Sequence, residues 1–262
     1  MTGRPVVVFD LDDTLVRGDS FARFLRMLLL RRPLRATVAL TAAVVLVPLF
    51  FLPPTRRRAT AGFVWLATAG VPPERFLDLV EEFAVAHTAG PRRIGVALDR
   101  LQAHLDAGDR VVIATACADP LASAVCRRLG LDGVEVIAAQ LRHGGHAFKA
   151  VRGCHGAAKP DRLREIGVTM PVAQVYTDSA VDLPLLRAAA QRCLVDPSPR
   201  TLQRVRAELG EEFTVLWSAR QAGRGRAGKQ RRRRDGRVSR PRRAGRRAAR
   251  RRGRAGRSGR GC

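Results

Sequence analysis

The chain predicts an α/β fold: a doubly wound, Rossmann-like parallel sheet, interrupted after its first strand by an inserted α-helical cap and followed by a basic tail. Three observations carry that reading. Short apolar, β-branched runs end in acid at Asp10, in VVVFDLDDTLV, and again at Asp178, in VYTDSAVDLPLL. Strand-like and helix-like patterns alternate through the second half of the chain. The gap between the first strand pattern and the second is far longer than a crossover needs, so it holds an insert.

Strand patterns fall at 5–9, 110–115, 134–138, 172–177 and 193–196, and helical spacing at 95–107, 120–129, 159–166, 182–190 and 199–209. Buried parallel strands read as continuous apolar runs, and their carboxyl ends share the edge at which open α/β sheets bind ligands. The crossovers are expected to be right-handed. The core is then 1–16 and 106–200, the cap 17–105, a C-terminal helix 201–219 and the tail 220–262.

Within the cap, 34–52 is strongly apolar, and 36–52 is a stretch of 17 residues without charge, about 26 Å as a helix and just short of one bilayer crossing. A single crossing is excluded, because Asp10 precedes the segment and Asp178 follows it, and both must reach one pocket. Pro48, Pro53 and Pro54 interrupt helices, and Arg31, Arg32, Arg35 and Arg56 to Arg58 suit anionic lipid. An interfacial or re-entrant, membrane-associating element is expected, with a helical hairpin in a soluble cap as the alternative.

An apolar content of 46% is enough to bury a core. The formal charge of +25 is unevenly placed: 20 of the 48 Lys and Arg lie from Arg220 onward with one of the 23 acids, leaving +6 for the rest. With no aromatic residue, the tail is expected to be disordered. It suits electrostatic contact with nucleic acid or an anionic membrane, without base reading. Five cysteines with no CxxC pair point to reduced thiols, and no export signal is expected at the N-terminus.

Asp10 and Asp12 stand two apart at a strand end, so that one carboxylate faces a substrate phosphorus while the other reaches the leaving oxygen. That pattern suits covalent phosphoryl transfer, with Asp10 as nucleophile and Asp12 as general acid and then base. An anion attacking an anion calls for a hard cation, Mg2+, held by Asp178 with Asp182. Thr115, ending the strand in RVVIATACADPL, with the backbone N–H of Ala116, and Lys159, in CHGAAKPDRL, are expected to bind the phosphoryl group. Cys117 has no activating base and is not read as a nucleophile. The histidines His143, His146 and His155 do not match a zinc spacing and read as loop residues.

The order Asp-x-Asp, Thr, Lys, Asp-x-x-x-Asp across 5–196 resembles the haloacid dehalogenase-like phosphatases. The resemblance implies that Asp10 is the nucleophile, Asp12 the acid/base and a metal ligand through its backbone carbonyl, Thr115 and Lys159 phosphate binders, and Asp178 a magnesium ligand supported by Asp182. Asp13 stands where that family often has glycine. FDLDDTL, DSFARFLRMLLLRRPL, IATACADPL, VIAAQL, RGCHGAAK and YTDSAVDLPLL further resemble phosphatidylglycerophosphatase C, a bacterial inner-membrane family. That likeness implies a phospholipid substrate, phosphatidylglycerophosphate, at the cytoplasmic face of the membrane. A soluble enzyme acting on a small phosphomonoester, similar to phosphoserine phosphatase and located in the cytoplasm, is the alternative. A nucleic-acid-binding protein acting through its tail is a third reading, disfavoured by the intact acid set. The oligomeric state is left open.

Overall fold

The computed structural model describes residues 4–52 and 55–221. Among them, strands β1 (Val6–Phe9), β2 (Arg110–Asp119), β3 (Glu135–Gly144), β4 (Ala147–Arg152), β5 (Val172–Thr177), β6 (Ala189–Val195) and β7 (Thr214–Leu216) form one sheet. Their order is β4-β3-β2-β1-β5-β6-β7, which puts β1 at the centre. Neighbouring strands are parallel apart from the antiparallel β3–β4 hairpin.

Alternation along the central strand explains why both faces are apolar. Val7 and Phe9 enter one hydrophobic cluster and Val8 the other. On the first face lie α5 (Gly95–Asp106) and α6 (Leu121–Leu129); on the second lie α7 (Ala158–Glu165), α8 (Leu183–Arg187) and α9 (Pro199–Leu209). Phe9 stacks on Tyr176 of the adjacent strand with centroids 4.2 Å apart. The Tyr176 hydroxyl meets His104 Nε2 at 3.0 Å, while Nδ1 of that ring lies 2.7 Å from Asp109.

Between β1 and α5 the chain leaves the sheet to build the cap from α1 (Ser20–Leu30), α2 (Pro33–Phe51), α3 (Arg56–Thr68) and α4 (Pro73–His87). Asp19 caps α1, its Oδ1 accepting from Ala22 N at 2.8 Å. Apolar positions three and four apart on α1 and α4 bring Phe24 edge-on to Phe76 (5.4 Å) and Phe83 (5.5 Å). Phe148 of β4 stacks on Phe76 at 4.0 Å, so the hairpin and the cap share one core. Each buried aromatic side chain contributes roughly 1.5–3 kcal/mol, whereas an exposed ion pair such as Arg31 with Glu82 is screened by water and contributes little. Apolar burial therefore holds the cap down.

Several expectations are corrected. The apolar cap segment forms a single helix, α2, that runs through Pro48 and pairs with α3 as a hairpin. Among the described residues no helix is long and apolar enough to cross a membrane. Helix α5 packs on β2, so the excursion from the sheet returns before it. The expected helix at 182–190 shrinks to a 3₁₀ turn, Ala180–Asp182, and α8, because the alanines that follow pair with β5 as the start of β6; tertiary pairing overrides alanine's helix propensity. The β3–β4 hairpin places His143 on a strand, where it meets Phe148. The expectation of a disordered tail falls on residues that, beyond 221, lie outside those described.

Candidate active site

Pairing of β1 with β5 continues one residue past the strand: Asp10 N donates to Tyr176 O at 2.9 Å. This brings Asp10 level with Thr177 and places Asp178 at the same sheet edge. The chain then folds into a tight loop in which Leu15 N and Val16 N both donate to Leu11 O. Asp13 takes a left-handed φ of 57°, the conformation that favours glycine, and its Oδ1 accepts from Gly18 N at 2.7 Å. Ile94 N donates to Leu15 O at 3.0 Å and Arg17 N to Arg92 O at 2.8 Å, tying the loop to the point where the cap rejoins the core.

Lys159, in the first turn of α7, is buried between two carboxylates. Its Nζ donates to Asp10 Oδ1 at 2.8 Å and to Asp182 Oδ2 at 2.7 Å. Thr177 Oγ1 also donates to Asp182 Oδ2, at 2.8 Å. Two donors thus occupy the Asp182 oxygen, an arrangement that anchors the ammonium. Burial works against the charge on Lys159, but Asp10 and Asp182 outweigh it and hold the pKa above the usual lysine value.

Thr115 lies within β2, which runs on to Asp119 instead of stopping at the threonine as the sequence suggested. The strand bulges there: between Ala114 and Ala118, four steps along β2 face two along β3, from Ile137 to Ala139. Bulges re-aim side chains beside active sites. Thr115 Oγ1 accepts from Cys117 N at 3.0 Å, which leaves its O–H to donate elsewhere. Ala116 is exposed between buried neighbours. Burial pushes the Cys117 thiol far up, against any role as a nucleophile.

Asp12 faces the cap, where Ser20 Oγ donates to its Oδ1 and stands 3.0 Å from Nε2 of buried His87. Burial pushes the Asp12 carboxyl up to about 8; the Ser20 hydrogen bond opposes the rise and the charge of Asp10 adds to it. Burial, with the charges of Asp10, Asp13 and Asp182, also lifts Asp178 to about 8. Asp10 rises to about 6, burial again leading while Lys159 restrains it.

Sequence reasoning did not single out Ser20, His87, Thr14 or Thr177. Thr14 Oγ1 accepts from Asp178 N at 3.1 Å, linking the two acidic loops. Its place beside the first acid pair was the available signal; nothing local pointed to His87.

Among the described residues no three Asp, Glu, His or Cys side chains gather into a group able to hold a metal by themselves. Magnesium needs less: it binds through one or two carboxylates and keeps several waters. Four carboxylates, Asp10, Asp12, Asp178 and Asp182, share this edge with the Lys159 ammonium. Hard oxygen donors and surplus buried negative charge fit a divalent cation.

Known proteins resemble this chain in sequence and in fold. A putative hydrolase of Mycobacterium leprae is 29% identical over 229 residues, covering 82% of this chain and 74% of the relative. A phosphoserine phosphatase of Mycobacterium tuberculosis is 32% identical over 128 residues, but this covers 47% of the chain and 41% of that relative. A solved structure from Bordetella pertussis, described as a protein of unknown function, superposes with a TM-score of 0.64 at 24% identity, covering 82% of this chain and 99% of that one. A substrate-bound phosphoserine phosphatase superposes with a TM-score of 0.54 at 16% identity over 82% of this chain and 94% of that one; at these identities the likeness shows the fold. The model of the haloacid dehalogenase-like hydrolases matches residues 7–187, a span that takes in β1, the cap, the bulge in β2 and Lys159, and so the chain belongs to that family.

Proposed function

We propose that the chain is a magnesium-dependent phosphomonoester hydrolase that works through an aspartyl-phosphate on Asp10, with a small phosphomonoester as substrate. The observation that carries this reading is the placement of Lys159 Nζ between Asp10 Oδ1 and Asp182 Oδ2. It fixes one oxygen of Asp10 and leaves Oδ2 to attack. As that oxygen bonds to phosphorus, the bond to the leaving oxygen breaks, and Asp12, protonated near neutral pH, delivers its proton to the departing alkoxide. The Asp12 carboxylate then takes a proton from the water that attacks the same phosphorus. Asp10 is released as a carboxylate and phosphate departs. The Thr115 hydroxyl, the Ala116 N–H and the Lys159 ammonium hold the phosphoryl oxygens.

Asp10, the backbone carbonyl of Asp12 and Asp178 would hold the magnesium ion, which supplies the positive charge that offsets repulsion between nucleophile and phosphate. Asp182 serves this site as the anchor of Lys159. Names of relatives support a phosphatase, one of Mycobacterium tuberculosis, 27% identical over 105 residues, being a probable phosphatase, and the phosphoserine phosphatase among them supports a small monoester. One observation favours the second reading, phosphatidylglycerophosphate at a bilayer: α2 exposes Val38, Leu40, Val44 and Val47.

Phosphate release decides between them. Turnover of soluble monoesters in the presence of Mg2+, abolished by EDTA and by Asp10→Asn, supports the main reading. Release confined to phosphatidylglycerophosphate in mixed micelles favours the second, and release from no ester at all removes both.

A further inference from the structure

A cleft of about 370 Å³ opens beside Asp12 and Ala116, between α1 and α3. Phe21, Leu25, Leu29 and Phe63 line it. We propose that this cleft receives the leaving group of the phosphomonoester and that the group is an uncharged hydrocarbon, a single alkyl chain or an aromatic ring. The inference rests on the reading of Asp10 and Asp12 given above and names the substrate class of that site.

Position supplies the first argument. Asp12 is the residue that protonates the leaving oxygen, and it also lines the cleft, so whatever is attached to that oxygen extends into this space. Chemistry supplies the second. The four side chains named above carry no polar atom, Thr60 and Cys117 add only an uncharged hydroxyl and a thiol to the lining, and burying an ammonium or carboxylate there without a partner is costly. Asp19 and Arg26 also line the cleft but are exposed, and Asp19 Oδ1 is engaged as the cap of α1. Size supplies the third: the volume lies in the range of small-ligand pockets.

The test uses the full chain with Mg2+ and a series from ethyl to octyl phosphate, with phosphoserine alongside. Burial of each methylene is expected to raise kcat/KM roughly fourfold until the cleft is full, with phosphoserine well below octyl phosphate. A flat series, or phosphoserine as the best ester, overturns the inference and leaves the hydrolase reading intact. No release from any ester overturns the hydrolase reading itself. Phe63→Glu is expected to collapse the octyl-to-ethyl ratio, a comparison within one variant; a folded variant with an unchanged ratio counts against the cleft, and the wild-type series stands without it.

The same hydrocarbon chemistry occurs on soluble esters and on lipids. Phosphatidylcholine vesicles separate the sources, because they slow an enzyme that takes octyl phosphate from water and speed one that takes it from a surface. Either result supports a hydrocarbon-accepting cleft.

Discussion

Ser20 and His87, 67 positions apart in sequence, meet with Oγ 3.0 Å from Nε2 inside the cap, and the same hydroxyl donates to Asp12. A serine has one proton to give, so with Asp12 as a carboxylate the imidazole must donate to Ser20. Burial, with the charges of Arg92 and Arg23, brings the His87 pKa down to about 4, and the ring is neutral at physiological pH. The cap therefore reaches Asp12 through one hydroxyl.

Ser20→Ala is expected to lower kcat about tenfold, a fraction of what general acid–base catalysis supplies. The loss should be larger for an alkyl phosphate, whose leaving oxygen needs the proton, than for p-nitrophenyl phosphate. Because the Ser20 hydrogen bond favours ionised Asp12, its removal should also move the alkaline limb of the rate profile to higher pH. An equal loss on both esters with an unmoved limb would show that Ser20 does not act on Asp12.

Lys159→Met tests the buried triad of Asp10, Lys159 and Asp182. Removing the ammonium leaves two buried carboxylates facing each other, and breaking such a pair costs about 3–5 kcal/mol. The melting temperature should fall and turnover should vanish. Adding Asp182→Asn should restore much of the stability and none of the activity. Recovery of turnover in the double variant would remove Lys159 from the chemistry.

How far this site was legible in the sequence follows from where each residue's meaning comes from. Asp10, Asp12 and Asp178 announce themselves because acid directly ends apolar strand runs, and Lys159 because it opens a helix between two of them. Ser20, His87 and Thr177 are ordinary polar residues until packing brings them together. The same holds for the fold. β1 and β5 are continuous apolar runs, whereas the β3–β4 hairpin alternates over a mostly exposed face and hides behind its histidines. The alanines at the start of β6 favour helix locally and become strand through pairing alone.

Metal-free stability should depend on pH with a definite sign. Asp12 and Asp178 titrate near 8 and Asp10 near 6, all above the usual 3.8. Between those values the folded chain binds more protons than the unfolded one, so stability is fully present below about pH 4 and is lost as pH rises through 6 and 8. In EDTA, these groups should make the melting temperature fall from pH 5 to pH 8, and Mg2+ should raise it more at pH 8 than at pH 5. A larger magnesium effect at the lower pH would contradict a carboxylate-lined cation site.

Asp13 offers a test of how the loop after Asp10 holds its shape. Its φ of 57° costs a residue with a side chain on the order of 1 kcal/mol relative to glycine. The hydrogen bond that its Oδ1 accepts from Gly18 N returns about 0.5–1.5 kcal/mol. The two nearly cancel, so Asp13→Gly should leave the urea midpoint almost unchanged. Asp13→Ala keeps the strain and loses the acceptor, and should destabilise by about 1 kcal/mol; β-branched Asp13→Val should do worse. The order Gly, Ala, Val is the signature of a strained turn compensated by its own side chain, and a glycine variant less stable than the alanine one would mean that the carboxylate matters more to this loop than its backbone does.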